Sequence, residues 1–198
     1  MNYYSIIYKP YLVLSQFSAV PEKKTLADFF EVPKDVYPVG RLDNDSEGLL
    51  ILTNDKQLNN RLLDPVFAHE REYWVQVDGA FTTEAKEQLQ KMVTINIDGK
   101  LYTTKPCRVS IFENEPTLPE RNPPIRFRKE IPAPWISIVL TEGKNRQVRK
   151  MTAQAGFPTL RLVRYRIEEL TIEGMQPGQM IELSQSAIYQ KLFYDKYK

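Results

Sequence analysis

Gly40-Arg41-Leu42-Asp43-Asn44-Asp45-Ser46-Glu47-Gly48 runs directly into Leu49-Leu50-Ile51-Leu52-Thr53-Asn54-Asp55. A short loop with the acids Asp43, Asp45 and Glu47 beside Arg41 thus feeds an apolar run that reads as a buried strand over 48–53. Asn54 or Asp55 then caps a helix that carries Leu58, Leu62 and Leu63 on one face. A carboxylate held near an arginine at the mouth of a strand is placed for chemistry as well as for solvation.

Working outward, residues 3–17 predict two short strands broken at Lys9-Pro10, because proline removes a ladder donor. Residues 25–30 suit a short helix capped by Thr25. Downstream, 72–77 alternates, with Tyr73, Val75 and Val77 on one side and Trp74 and Gln76 on the other. A helix over 83–92 and strands near 93–97, 101–104 and 109–112 follow. Residues 114–134 are rich in proline and arginine, fit neither helix nor strand, and read as a long extended insertion. Residues 135–140 alternate as a strand. Asn145 is placed to cap a helix over 146–155 that Gly156 ends, with Val148, Met151 and Ala155 inward. Strands at 160–165 and 180–183 precede a closing helix over 185–198, with Ile188, Leu192 and Phe193 as its apolar face. Strands outnumber helices, and several lie too close in sequence for parallel crossovers. This predicts an α+β fold with a largely antiparallel sheet.

A chain of 198 residues, 42% hydrophobic, suits one compact domain with room for two lobes. No apolar stretch is long enough to span a membrane, and Lys9-Pro10 interrupts the first apolar run, so neither a span nor a signal peptide is expected. The one cysteine, Cys107, excludes an internal disulfide, and with the one histidine, His69, it cannot build a Cys/His zinc site within the chain. Both read as structural or surface residues. The expectation is a reducing cytoplasm and no metal cofactor. The net charge of +2 conceals an asymmetry. Residues 121–166 hold 11 Lys and Arg against Glu130 and Glu142, net +9, which leaves 16 basic and 23 acidic residues elsewhere, net −7. A basic stripe interleaved with Phe127, Trp135, Phe157 and Tyr165 on an acidic body suits a polyanionic partner.

The acidic loop admits three readings. Asp43-x-Asp45-x-Glu47-Gly48 begins like a calcium-binding EF-hand loop, but its twelfth position is Asn54 rather than a bidentate Glu, and Pro38 and Gly40 forbid the entering helix. A plain acidic turn is the second reading. The third is catalysis, in which a carboxylate attacks or assists at a glycosidic bond and an arginine keeps it ionised. Spacing alone does not say which acid acts.

Several segments resemble the RNA pseudouridine synthases, in the branch that modifies single uridines of ribosomal RNA. Gly40-Arg41-Leu42-Asp43 with Ser46-Glu47-Gly48-Leu49-Leu50 resembles that family's catalytic motif, and Glu142-Gly143-Lys144-Asn145-Arg146-Gln147-Val148-Arg149-Lys150-Met151 its second large motif. Tyr73-Trp74-Val75-Gln76-Val77-Asp78-Gly79 matches the aromatic strand between them. Within the branch, residues 121–129 and 156–162 are similar to the E type of synthase, which acts on large-ribosomal RNA and starts without a leading S4-type domain; one catalytic domain over 1–198 is therefore expected. Two departures stand out. The opening motif is Tyr8-Lys9-Pro10-Tyr11-Leu12 where the family has Asn-Lys-Pro-x-Gly, and Lys144 stands where arginine is common.

The resemblance implies a pseudouridine synthase fold: a mostly antiparallel mixed sheet in two lobes, flanking helices and a central RNA-binding cleft. It implies isomerisation of a uridine in 23S ribosomal RNA without a cofactor; a monomer is expected because no long exposed apolar stripe is left unassigned. Asp43 would initiate cleavage of the N1–C1′ bond, Tyr73 would stack on the target base, and Arg149 would pair with the aspartate. Arg41 would contact phosphate or brace the loop. Lys144, Arg146, Lys150, Arg161, Arg164 and Arg166 are candidates for a phosphate-binding wall, and Arg121, Arg126, Arg128 and Lys129 for an RNA-facing insertion. The rival functions are a non-catalytic RNA-binding module on the same fold, and the same reaction on 16S rRNA or tRNA.

Overall fold

The order of apolar runs and turn residues produces thirteen strands and four α-helices among the described residues of the computed structural model, which are 2–125 and 129–193. In chain order these are β1 (Tyr4–Lys9), β2 (Val13–Leu14), β3 (Lys24–Thr25), β4 (Tyr37–Pro38), β5 (Glu47–Thr53) and α1 (Lys56–Leu63). Then come β6 (Arg71–Val77), α2 (Thr83–Gln90), β7 (Thr94–Ile97), β8 (Lys100–Thr103), β9 (Arg108–Ile111), β10 (Trp135–Leu140) and α3 (Gln147–Gln154). The chain continues with β11 (Thr159–Ile167), β12 (Leu170–Thr171), β13 (Met180–Glu182) and α4 (Gln185–Phe193). Positions 194–198 of the expected closing helix lie outside the described residues. The described chain divides into two units: the first takes residues 2–69 and 164–193, the second 70–163. The architecture is α+β with mostly antiparallel pairing, as the spacing of the strands requires; the short β2–β3 pair is parallel.

In the first unit, β1 runs antiparallel to β5 from Tyr4↔Thr53 to Lys9↔Gly48, and to β13 through Ser5↔Glu182. All seven residues of β5 are buried, which is why its sequence is a continuous apolar run rather than an alternating one. Ile7, Val13, Leu26, Phe30, Val36, Leu50 and Leu52 form the core. Each such side chain contributes about 1.5–3 kcal/mol on full burial. Gly48, at φ +108°, lies against β11 so closely that a β-carbon there would stand 2.7 Å from the backbone nitrogen of Arg164. Asp55, not Asn54, caps α1, accepting from the N–H groups of Gln57 and Leu58. Leu58 and Leu62 are buried, but Leu63 is 42% exposed: one residue past Leu62 in the last turn, it is rotated about 100° off the buried stripe.

In the second unit, β10 lies between β6 and β9, antiparallel to both, with Trp135↔Gln76 and Leu140↔Arg71 at its two ends. Val75 and Val77 of β6, Ile136 and Ile138 of β10, Leu89 of α2 and Met151 of α3 fill the core between sheet and helices. The strands near 93–97 and 101–104 form a separate hairpin, β7–β8, turned through Asp98 and Gly99 at positive φ. Two helix boundaries differ from expectation. Helix α2 stops at Gln90, leaving Met92 67% exposed. Helix α3 starts at Gln147, with Arg146 at its N-cap in the left-handed conformation (φ 52°), so Asn145 does not cap it. Residues 113–134 hold no helix or strand among the described residues, as expected of the insertion.

Candidate functional site

The loop that carries Asp43 is clamped through its backbone. Ser15 Oγ accepts from the Leu42 N–H at 3.0 Å and donates to the Leu42 carbonyl at 2.7 Å, holding the residue next to Asp43 on both sides. The Asp43 carbonyl accepts from Ser46 N–H (3.1 Å), and the Asn44 carbonyl from Leu12 N–H (2.9 Å). Gly40 starts the loop at φ +71°, a conformation open to glycine. The result is a half-buried Asp43 and Asp45, an exposed Arg41, and a buried Ser46 and Glu47. Of the three acids, Glu47 is the one drawn into the interior at the start of β5, so the loop separates its carboxylates by environment.

Lys9 is the residue whose part the sequence hides. By its place before Pro10 it marks only a strand break, yet its side chain is fully buried, with Nζ donating to the carbonyls of Val13 (2.6 Å) and Pro10 (2.9 Å). Burial pulls its pKa down from 10.5 to about 7; Glu47, Asp45 and Asp43 oppose that shift and Arg164 adds to it. The sign of the linkage follows. Below about pH 7 the lysine is protonated in both folded and unfolded chains, whereas between about 7 and 10.5 only the unfolded chain holds the proton. Stability contributed by this site therefore rises with pH across that window, by up to about 1.4 kcal/mol per pH unit. In urea melts from pH 7 to 9.5, wild type should gain stability relative to Lys9→Met; parallel pH profiles would remove Lys9 as the titrating group.

The second unit positions Tyr73 and Arg149. Tyr73 sits on β6 opposite Ile138, half-buried against the core. Arg149 is in the first turn of α3, whose Val148 and Met151 are buried. The start of that helix is organised by Glu142, a carboxylate only 6% exposed. It accepts from Tyr102 Oη (2.5 Å), Lys105 N–H (2.9 Å) and Gln147 Nε2 (2.6 Å), while Gln147 Oε1 accepts from Lys144 N–H (3.0 Å). The bond to Glu142 is the main cause that raises the Tyr102 phenol to about 12. Glu142 and Gln147 thus close the loop that leads into Arg149. The only trace in the sequence is a Glu five residues before a Gln at a helix start.

The basic residues differ widely in what they offer a ligand. Arg41, Lys129, Lys144 and Arg146 are exposed, and Lys144 Nζ lies 4.9 Å above the Tyr102 ring. Arg121, Lys150 and Arg166 are half-buried; Arg121 Nε donates to the Pro123 carbonyl and Arg166 Nη1 to the Glu168 carbonyl. Arg161 and Arg164 are 6% and 4% exposed. Arg161 Nη2 donates to the Pro119 carbonyl at 2.8 Å, and Arg164 Nε to the Leu49 carbonyl at 2.7 Å. Both are turned to backbone inside the protein, a use that the count of positive charges could not reveal. Arg126 and Arg128 lie outside the described residues. Arg41, Asp43, Arg164 and Arg166 belong to the first unit; Tyr73, Arg149 and the other described basic candidates belong to the second.

Comparison with known proteins places these features in a family. The sequence profile described as RNA pseudouridylate synthase matches residues 3–154. Ribosomal large subunit pseudouridine synthase E of Vibrio parahaemolyticus is 51% identical over 178 residues, which cover 90% of this chain and 72% of that protein. The protein of the same description from Xanthomonas campestris pv. campestris is 49% identical over 176 residues, covering 88% of this chain and 91% of that protein. Ribosomal large subunit pseudouridine synthase B of Bacillus subtilis is 30% identical over 182 residues, covering 91% and 68%. A crystal structure of a pseudouridylate synthase shares the fold, with a TM-score of 0.77 at 23% identity over 97% of this chain and 74% of that one.

Proposed function

The chain belongs to the RNA pseudouridylate synthase family, and from that membership we propose that it isomerises one uridine of large-subunit ribosomal RNA to pseudouridine. The observation that carries this reading is the near-50% identity, over about nine-tenths of the chain, to proteins described as ribosomal large subunit pseudouridine synthases. Asp43 is assigned the first step, breaking the N1–C1′ bond by attack on the sugar or by removal of a ribose proton. The freed uracil rotates, rejoins the sugar through C5, loses the C5 proton and takes up one at N1; the product is an isomer of the uridine, so no cofactor is consumed. Tyr73 is assigned to stack on the base, with its hydroxyl serving C5 deprotonation, and Arg149 to supply the positive charge that keeps the aspartate ionised. The base has to leave its stack to reach a carboxylate, as with other enzymes that act on bases.

RNA is held in this reading by the accessible cations Arg41, Arg121, Lys129, Lys144, Arg146 and Lys150, with Arg126 and Arg128 of the insertion. The affinity for RNA should fall steeply with salt. Replacing Lys144 and Arg146 together by Ala should reduce the slope of log K against log salt by roughly 1.4–1.8, at 0.7–0.9 per phosphate contact. Filter binding over a series of KCl concentrations measures this, and an unchanged slope would take both residues out of the phosphate contacts. The protein is assigned to the cytoplasm as a monomer; among the described residues no helix is long and apolar enough to cross a membrane.

The deciding experiment incubates the purified protein with unmodified 23S rRNA, 16S rRNA and tRNA and maps pseudouridines by carbodiimide-blocked primer extension. A new stop in 23S rRNA alone is expected. RNA binding with no modified uridine in any substrate would make the chain a non-catalytic module, and a stop only in 16S rRNA or tRNA would reassign the substrate.

A further inference from the structure

Within the second unit, the chain leaves the sheet after Phe112 and returns at Trp135. Its ends are tied by backbone: Phe112 N–H donates to the Trp135 carbonyl (3.0 Å), Gly79 N–H to that of Pro132 (2.9 Å), and Val77 N–H to that of Pro134 (3.0 Å). A further tie comes from a charged side chain. Arg161, on β11, is 6% exposed, donates from Nη2 to the Pro119 carbonyl at 2.8 Å, and sets its guanidinium carbon 5.8 Å from the centre of the buried Trp135 ring. A guanidinium is costly to bury, and a surface phosphate contact would not require burial. The bond to Pro119 spends part of that buried charge on the segment. Pinning Pro119 divides a long excursion into shorter closed pieces and removes conformations from the stretch beyond it. Its described part, residues 120–125, carries Arg121, itself folded back onto the Pro123 carbonyl.

We infer that Arg161 is a positioning residue that holds the described stretch around Pro119, residues 113–125, preformed for recognising the RNA around the target uridine. It acts on substrate selection and not on the reacting atoms. A segment ordered before binding spares the complex the cost of ordering it. The inference rests on reading the chain as an RNA-modifying enzyme.

The test compares the full-length wild type with Arg161→Met, which keeps an apolar stem over Trp135 but loses the donor, and with Arg161→Lys. Three quantities are read: tryptic cleavage after Arg121, kcat and KM on 23S rRNA, and the salt slope of RNA affinity. Arg161→Met should be cut in this segment faster than wild type and should raise KM about tenfold with kcat within about twofold, the scale expected when a recognition segment loses preorganisation. Its salt slope should match wild type. Arg161→Lys, which keeps a charged donor at this position, should recover part of the KM. A slope reduced by about 0.7–0.9 with unchanged cleavage would make Arg161 a phosphate contact and overturn the inference. So would cleavage and KM both at wild-type values. If Arg161→Met does not fold, Arg161→Lys carries the test: faster cleavage at an unchanged slope supports the brace, and unchanged cleavage overturns it. If wild type modifies no RNA, the proposed function fails, while cleavage and salt slope still decide the role of Arg161.

Discussion

Asp43→Asn should abolish pseudouridine formation, with a loss on the order of 10⁴-fold or more, the scale set by removal of an initiating nucleophile or base. Asn is close in shape, so the loop should keep its conformation. The clamp is made by Ser15 on Leu42, by Leu12 on the Asn44 carbonyl, and by the Ser46 N–H on the Asp43 carbonyl, all of which survive the change. The thermal midpoint should therefore stay within about 2–4 °C of wild type, less than about 1 kcal/mol for a chain of this size. Asp45→Ala is the matched control. It removes an equal charge two residues away in the same half-buried loop, and should retain activity to within about threefold, as surface changes away from the chemistry do. Single-turnover rates on 23S rRNA separate the two. Activity of Asp43→Asn within about tenfold of wild type would remove Asp43 from the reaction. An equal loss in Asp45→Ala would show that net loop charge matters more than one placed carboxylate.

The second large effect is on stability. Asp55 is 5% exposed and accepts from the hydroxyls of Tyr4 and Tyr189, each at 2.8 Å, and from the N–H groups of Gln57 and Leu58. One carboxylate thus joins β1, the start of α1 and α4. Burial pushes its pKa up, but the two tyrosine hydroxyls and the Leu58 and Gln57 N–H groups outweigh it and hold the group below its ordinary value of 3.8. Asp55→Ala removes a helix cap, worth about 1 kcal/mol, and takes the acceptor from two tyrosine hydroxyls, at about 1–3 kcal/mol for the buried Tyr4 and less for the half-buried Tyr189. Allowing for partial relaxation, the expected loss is about 3–5 kcal/mol, or roughly 10 °C in the thermal midpoint. Because the folded pKa is depressed, the stabilisation is complete above the ordinary carboxylate pKa and disappears as pH falls through the lowered value. The wild-type advantage over Asp55→Ala should accordingly shrink below about pH 4. Calorimetry showing a difference under about 1 kcal/mol at neutral pH would dismiss Asp55 as a structural hub.

Legibility in the sequence follows the strength of the local signal. The buried strand β5, the alternation of β6 and β10, and a cap at 54–55 are readable because periodicity and capping are short-range, whereas the helix expected over 25–30 is only a 3₁₀ turn, Leu26–Asp28. Fold class follows from the close spacing of the strands. The start of α3 is not readable, because Arg146 takes a left-handed conformation at the end of a loop that Glu142, Gln147 and Lys144 close by side-chain bonds. Lys9, Arg161 and Arg164 defeat sequence reading for one shared reason. Charge type is visible in a sequence, but whether a cation meets solvent or a backbone carbonyl is decided by partners 1 to 115 positions away. The motifs of the acidic loop, the aromatic strand and α3 point to Asp43, Tyr73 and Arg149 without any such knowledge, because their spacing is local.

The register of β1 has a bearing on how the chain comes to be folded. Ser5 pairs with Leu52 on one side and with Glu182 on the other, and the first unit resumes only at residue 164, after the whole of the second. On a ribosome, the second unit is complete in sequence while the first still lacks β12, β13 and α4. The first of the described strands in chain order is therefore among the last to find all its partners. Until then its edge, with Ile6 and Ile7 upon it, stands open to whatever else the nascent chain or the cell presents. An enzyme that serves ribosomal RNA thus leans, in its own assembly, on the slowest contacts of its topology.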